Sequence, residues 1–204
     1  MSNNLLLFNK PYNVVSQFSA LESKSTLKDY IDLSGYYPAG RLDQDSEGLL
    51  ALTNDGALQA RISHPKYKLP KTYWVQVEGI ITEDAIASLA SGVELNDGKT
   101  KPALVNYLDE PDFPARTPPV RVRVNIPTSW VEITIKEGRN RQIRRMTANV
   151  GFPTLRLIRA TIGDWNLGEL KPGEYQLQQV NLPETKINKH KIKNQRVKHA
   201  KRAR

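Results

Sequence analysis

The chain has 204 residues, of which 39% are hydrophobic and none is cysteine, and its formal net charge is +9. The absence of cysteine excludes disulfides, cysteine-ligated zinc or iron–sulfur sites and thiol catalysis. Apolar runs such as 5–8 and 49–52 are far shorter than the roughly 20 residues that a membrane span requires, and no secretory signal precedes them, so we expect a cytoplasmic protein.

The hydrophobic pattern predicts strands and helices that do not alternate strictly. Alternating apolar and polar side chains at 73–77 are typical of a strand, and a capping threonine followed by two acids predicts the start of a helix. Strands outnumber helices, which favours an α+β fold with a mainly antiparallel mixed sheet and flanking helices. The predicted strands are 5–8, 48–53, 73–77, 103–108, 130–135, 154–162 and 175–178, and the predicted helices are 57–63, the segment between Thr82 and Gly92, and 140–150.

A proline-rich segment interrupts this pattern. Five prolines fall within 109–127, which predicts a long irregular loop. We therefore expect one catalytic domain over 1–184, which this loop could divide into two α+β subdomains.

An acidic turn, GRLDQDSEG at 40–48, is the strongest candidate for chemistry. The carboxylates of Asp43, Asp45 and Glu47 match the first half of a calcium loop. The last ligand position of such a loop is occupied by Asn54 instead of glutamate, so the match fails there. A two-metal nuclease site and a merely solvated strand edge stay open as alternatives.

Motifs for nucleotide cofactors and for histidine-based catalysis are absent from the sequence. His64 is the only histidine before residue 185, and its position before a proline indicates a structural role in a turn. We expect no cofactor and no metal, because an aspartate held by arginine can act as nucleophile or base alone.

A cluster of four arginines lies in the segment EGRNRQIRRM at 137–146. A helix over 140–150 would bury Ile143, Met146 and Val150 and place the arginines at 141, 144 and 145 on another face. Guanidinium groups bind phosphate and carboxylate groups through paired hydrogen bonds. The segment therefore predicts a phosphate or carboxylate site, with a solvated charged face as the alternative.

The last segment, 185–204, holds nine basic residues and no acidic one, so positions 1–184 carry 21 basic and 21 acidic residues. We expect this basic tail to be disordered when free and to bind a polyanion, with a merely solubilising tail as the alternative. If it neutralises about six phosphates, log K falls with log salt at a slope of about −5. Deleting 185–204 is expected to weaken RNA affinity and flatten this slope, with little change in saturated turnover. Filter binding across a salt series measures this, and an unchanged slope would refute it.

The motifs, in chain order, resemble those of the RsuA-type ribosomal RNA pseudouridine synthases. The resemblance rests on NKP at 9–11, GRLD at 40–43 with GLL at 48–50, KTY at 71–73, EGRNRQIRRM at 137–146 and VGFP at 150–153 through Arg159. The first motif begins within ten residues of Met1, so we expect no N-terminal S4 domain. Together with DSEG in the second motif and IPTSW at 126–130, this indicates the RluE branch, which implies one uridine in the peptidyl-transferase region of large-subunit ribosomal RNA.

The resemblance also implies roles for individual residues. Asp43 would be the catalytic aspartate, Tyr73 would stack on the uracil, Arg144 would pair with Asp43, and Arg41 would occupy space near the displaced nucleotide. The residues implied in phosphate contacts are Arg139, Arg141 and Arg145. The reaction cleaves the C1'–N1 bond, turns the base and rejoins it through C5, and Asp43 could attack C1' or deprotonate C2'.

Each of these residues could also have a purely structural role. Asp43 could only form a turn, Tyr73 could only pack in the core, and Arg144 could make a surface ion pair worth at most about 1 kcal/mol. A non-catalytic rRNA-binding or ribosome assembly protein is the alternative function. We expect a monomer whose partner is large-subunit ribosomal RNA, bound in a central cleft.

Overall fold

The structure is a computed structural model that describes residues 3–182 except positions 68, 122 and 124. The basic tail at 185–204 lies outside the described residues. The division of the chain near residue 184 therefore stays a prediction.

All of the predicted strands and helices are present, together with shorter elements that the sequence did not indicate. The strands, numbered in chain order, are β1 (Leu5–Lys10), β2 (Val14–Val15), β3 (Ser25–Thr26), β4 (Tyr37–Pro38), β5 (Glu47–Thr53), β6 (Lys71–Glu78), β7 (Glu94–Leu95), β8 (Gly98–Lys99), β9 (Leu104–Leu108), β10 (Thr128–Ile135), β11 (Thr154–Ile162), β12 (Trp165–Asn166) and β13 (Tyr175–Gln178). The α-helices are α1 (Gly56–Ser63), α2 (Glu83–Ser91) and α3 (Gln142–Asn149), and 3-10 helices occur at Leu27–Asp29 and Pro65–Tyr67.

Over the described part of the chain, nine strands form one mixed sheet in the order β13-β1-β5-β11-β6-β10-β9, with β4 added to β5 and β12 to β11. Within the described residues of this sheet, β5 and β11 form the only parallel pair. The predicted α+β fold with a mainly antiparallel mixed sheet is confirmed. Strand β11 lies between β5 and β6, although it follows both of them in the sequence.

Strand β5 lies between β1 and β11 in the sheet, and every one of its residues is buried. Leu49 and Ala51 pack on the side of α1, whereas Leu50 and Leu52 pack with Phe8 on the opposite side. A strand that is buried on both faces is a nearly continuous apolar run. The residues that precede this strand are consequently held in a fixed position at its start.

Side chains cap the first two helices, and the cap of α2 is the predicted Thr82. The side chain of Asp55 accepts hydrogen bonds from the amides of Ala57 and Leu58 at the start of α1, and Thr82 accepts one from Ala85 at the start of α2. Gly92 ends α2 with a φ of +91°, a left-handed conformation that favours glycine. None of the helices in the described residues is long and apolar enough to cross a membrane.

The proline-rich segment 109–127 connects β9 to β10, which pair with each other. It packs against the sheet: the Phe113 ring meets the Trp74 ring edge-on at 6.2 Å, and the carbonyl of Pro114 accepts a 2.7 Å hydrogen bond from Arg156. The strands on either side of the loop are therefore neighbours in one sheet, and the division into two subdomains stays a prediction.

Candidate active site

The acidic turn lies between β4 and β5, where several hydrogen bonds fix its backbone. The amide of Ser46 donates to the carbonyl of Asp43 (3.1 Å) and closes the turn. The buried hydroxyl of Ser16 donates to the carbonyl of Leu42 (2.7 Å) and accepts from its amide (3.2 Å). The carboxylates stay accessible, since the side chains of Asp43 and Asp45 are 39% and 34% exposed. The turn thus presents two carboxylates on a rigid backbone.

Beneath the turn lies Lys10, which is fully buried. Its ammonium donates to the carbonyls of Pro11 and Val14, both at 2.8 Å, and to that of Gln44 at 3.4 Å. Burial lowers the pKa of this lysine to about 7, against the raising effect of the Glu47 charge. Lys10 therefore ties the acidic turn to the loop that follows β1.

This burial predicts a specific dependence of stability on pH. Between pH 7 and the ordinary lysine pKa of 10.5, the unfolded chain holds a proton that folded Lys10 lacks, so stability rises with pH in this window. Compared with that of Lys10→Met, the free energy of unfolding of the wild type should rise by at most about 1.4 kcal/mol per pH unit. Urea unfolding of both proteins at pH 7 and pH 9.5 measures the difference. Equal pH dependence in the two proteins would contradict the assignment.

Strand β11 supports the turn from the other side. The buried Arg159 donates from Nε to the carbonyl of Leu49 (2.7 Å) and from its NH1 group to that of Arg41 (3.5 Å). Gly48 has a φ of +100°, and a Cβ at this position would clash with the Arg159 carbonyl oxygen. A larger residue at 48 would therefore push β5 and β11 apart at the edge of the turn.

Two arginines from the predicted cluster reach the acidic turn. Arg141 donates two hydrogen bonds to the Asp45 carboxylate (2.9 and 2.8 Å), and its NH1 group lies 3.8 Å from Asp43 Oδ2. Arg144 donates to the Asp45 carbonyl (2.6 Å), and its Nε lies 3.4 Å from Asp45 Oδ2. The expected ion pair of Asp43 with Arg144 is wrong in this detail: Arg141 contacts both Asp43 and Asp45, whereas Arg144 contacts Asp45 alone.

These contacts shift the pKa values of Asp45, Arg141 and Arg144. Burial alone would raise the pKa of Asp45, but hydrogen bonds from Arg141 and the charges of Arg144 and Arg141 hold it below its ordinary value. Burial lowers the pKa of Arg144, and the hydrogen bond with Asp45 raises that of Arg141. Since arginine stays protonated, the acidic turn contains an ionised Asp45 carboxylate that is held by two cations.

The arginine cluster does not form the single helical face that the sequence predicts. Arg141 precedes α3 in a left-handed conformation (φ 48°, ψ 35°), so helical spacing does not apply to it. Arg145 instead pairs with Asp97 through two hydrogen bonds (2.9 and 3.1 Å), and Arg139 donates to the carbonyls of Gly98 and Lys99, both at 2.6 Å. The cluster therefore divides between the acidic turn and the β7–β8 hairpin.

A pocket of about 470 Å³ opens in front of the turn, within the roughly 300–1,000 Å³ of small-molecule sites. Tyr73, on β6, is buried in its wall and pairs across the sheet with Ile133 and Arg159. The predicted site residues that line this pocket are Arg41, Asp43, Tyr73, Arg139 and Arg141. Arg144 and Arg145 lie behind this lining, one against Asp45 and the other against Asp97.

The third acid of the turn points away from the pocket. Glu47 is buried and forms a doubly hydrogen-bonded ion pair with Arg156 (2.9 and 2.8 Å). Across the described ranges, no three side chains among histidine, cysteine, aspartate and glutamate gather as a metal site would require. The two-metal nuclease alternative fails on this divergence of the carboxylates.

Two residues of the site were assigned no role from the sequence. Asp45 contacts both Arg141 and Arg144, whereas the sequence offers it only as one of three acids in a calcium-loop match that fails. Lys71 lines the pocket and donates to the Leu69 carbonyl (3.3 Å), and burial together with the Arg159 charge lowers its pKa. Its place in the KTY motif was the one signal available for it.

Known proteins with similar sequences belong to one family. The family model described as RNA pseudouridylate synthase matches residues 4–149. The "Ribosomal large subunit pseudouridine synthase E" of Vibrio parahaemolyticus is 56% identical over 174 residues, which cover 85% of this chain and 73% of the relative. The protein of the same name from Xanthomonas axonopodis pv. citri is 56% identical over 82% of this chain and 90% of the relative.

Solved structures show the same fold. A "Crystal structure of pseudouridylate synthase" superposes with a TM-score of 0.72 at 32% identity, covering 87% of this chain and 71% of that one. "Human RNA Pseudouridylate Synthase Domain Containing 1" shares the fold with a TM-score of 0.56 at 16% identity over 90% of this chain and 81% of that one. The family resemblance predicted from the motifs is confirmed, and the chain belongs to the RNA pseudouridylate synthase family.

Proposed function

We propose that this chain converts one uridine of large-subunit ribosomal RNA to pseudouridine, with Asp43 as the catalytic aspartate. One observation carries the proposal. Asp43, its cation partner Arg141 and the wall residue Tyr73 meet at one pocket, in a chain whose relatives at 53–56% identity bear the name large subunit pseudouridine synthase E.

The chemistry uses groups that this pocket supplies. The C1'–N1 bond breaks, the uracil turns, and C5 bonds to C1' and loses its proton, while N1 gains a proton. The Asp43 carboxylate is accessible, and its Oδ2 lies 3.8 Å from the NH1 group of Arg141. A carboxylate in this position could attack C1' or take a proton from C2', and the two routes stay open.

We assign the remaining site residues by position. Tyr73 would stack on the uracil in the pocket wall, and Arg144 would position the turn through Asp45. Arg41, which is exposed at the rim, would occupy space near the displaced nucleotide. Phosphate contacts would offset the few kcal/mol that extruding a uridine costs, and we assign these contacts to Arg139, Arg141 and Arg145.

Tritium release tests the reaction directly. Transcripts of large- and small-subunit ribosomal RNA labelled with [5-³H]uridine are incubated with the full chain in the presence of EDTA. We expect release from the large-subunit transcript alone, and carbodiimide primer extension on rRNA from a strain lacking the protein should show one missing pseudouridine. Tight rRNA binding without release would contradict the proposal and favour a non-catalytic assembly protein.

We also propose that the protein acts as a monomer in the cytoplasm. The sequence contains no cysteine, so the fold does not depend on an oxidising compartment. Light scattering at working concentrations tests the oligomeric state.

A further inference from the structure

The connection between α1 and β6 forms one side of the pocket mouth. Ser63 and His64, at the end of α1, belong to the pocket lining. The 3-10 helix Pro65–Tyr67 follows directly. It carries an aromatic side chain, Tyr67, whose residue is 38% exposed. A large exposed ring therefore lies beside a pocket that is expected to bind RNA.

The Tyr67 ring is surrounded by positively charged and aromatic groups. The Arg61 guanidinium lies 4.6 Å from the ring centroid, and the Lys66 ammonium lies 5.9 Å from it. The His64 ring meets Tyr67 edge-on at 6.3 Å, and the Lys66 amide donates to its Nδ1 (3.1 Å). Stacked guanidinium and aromatic rings are what single-stranded nucleic acids bind through their bases.

The charges on this side also differ from those of the arginine cluster. Arg139, Arg141, Arg144 and Arg145 each form an ion pair with an aspartate. By contrast, neither Arg61 nor Lys66 pairs with an acid in the part of the chain that the structure describes. RNA phosphates can therefore meet these two cations without displacing a carboxylate.

We propose that Arg61, Lys66 and Tyr67 form a binding platform for a nucleotide that flanks the target uridine. Tyr67 stacks on the flanking base, and Arg61 and Lys66 contact the adjoining phosphates. The inference rests on the proposed function, because it needs RNA in the pocket. It adds substrate contacts on the α1 side of the pocket mouth, made by cations that are not paired with an aspartate among the described residues.

The first test separates binding from turnover. Tyr67→Ala should raise the enzyme concentration for half-maximal single-turnover tritium release by about 5- to 100-fold on the large-subunit transcript. The saturated rate should stay unchanged, because Tyr67 lies outside the pocket lining. Tyr67→Phe should behave as the wild type, since stacking needs the ring alone. Tyr107→Ala is the matched control, because Tyr107 is 56% exposed on β9 and does not line the pocket.

The second test uses charge. The double variant Arg61→Gln/Lys66→Gln should reduce the slope of log K against log salt by about 2 in filter binding. The control, Lys24→Gln/Lys28→Gln, removes two exposed lysines that do not line the pocket and should leave the slope unchanged. Melting temperatures of all variants are expected to match the wild type.

The possible outcomes separate the two proposals. An unchanged half-maximal concentration for Tyr67→Ala, or an equal loss for Tyr67→Phe, would overturn the stacking role. Equal salt slopes for both double variants would overturn the phosphate contacts. Absence of tritium release in the wild type would instead refute the proposed function, and filter binding would still test the platform.

Discussion

Asp43→Asn is expected to reduce tritium release from rRNA uridine by at least about 10³-fold, the loss typical of removing a positioned proton-transfer or nucleophilic group. Asparagine keeps the shape of the side chain, and the backbone of the turn is held by hydrogen bonds from the Ser46 amide and the Ser16 hydroxyl. Folding and RNA affinity should therefore persist. Single-turnover kinetics with filter binding on the same transcript separate the two properties.

Asp45→Asn is the matched control for this experiment. Asp45 is two residues away and nearly as exposed as Asp43, but it forms ion pairs with Arg141 and Arg144 and so fixes their positions. Removing its charge releases Arg141 from a doubly hydrogen-bonded pair, so we expect a loss nearer about 10-fold, through misplacement of the turn. Full activity of Asp43→Asn would remove this residue from its role, and inactivity confined to Asp45→Asn would exchange the two roles.

Glu47→Ala is expected to lower the free energy of unfolding by about 3–5 kcal/mol, because it leaves a buried arginine without its partner. The side chains of Arg156 and Glu47 are only 8% and 5% exposed, and arginine cannot lose its proton to relieve the charge. Urea unfolding at pH 7 measures this loss, which should exceed that of any single change on the exposed surface.

Two variants of the partner sharpen the test. In Arg156→Met the unpaired group is a carboxylate, which can take up a proton when folded. The folded state then binds more protons than the unfolded state, so stability should recover as the pH falls from 7 to 5. Glu47→Ala should show no such recovery. The double variant Glu47→Leu/Arg156→Met should be more stable than either single variant, and equal losses in all three would contradict the account.

Local patterns were sufficient for the long elements of this fold. The alternation over β6 and the cap at Thr82 identified a strand and a helix whose positions the structure confirms. The two-residue strands could not be predicted, because two residues do not establish a periodicity. Their pairing depends on long-range contacts, and Asp97, in the turn of one such hairpin, is the partner of Arg145.

The site was predictable in its members more than in its pairings. The motifs identified Asp43, Tyr73 and the arginine segment, and most of these residues share a pocket. The resemblance implies Arg144 as the partner of Asp43, but the residue whose guanidinium lies within 4 Å of the Asp43 carboxylate is Arg141, which has a left-handed backbone just before α3. The sequence does not indicate this conformation, because Arg141 is not a glycine, the residue that usually marks a positive φ.

The position of β11 has a consequence for synthesis of the protein. A nascent chain that has emerged only as far as residue 150 already contains both aspartates, the tyrosine and the arginine segment. It lacks the strand that lies between β5 and β6 and the Arg159 contacts that brace the turn. The acidic turn and the aromatic wall therefore meet only after this late strand is inserted, so a prematurely ended polypeptide would carry the reactive groups without being able to modify RNA.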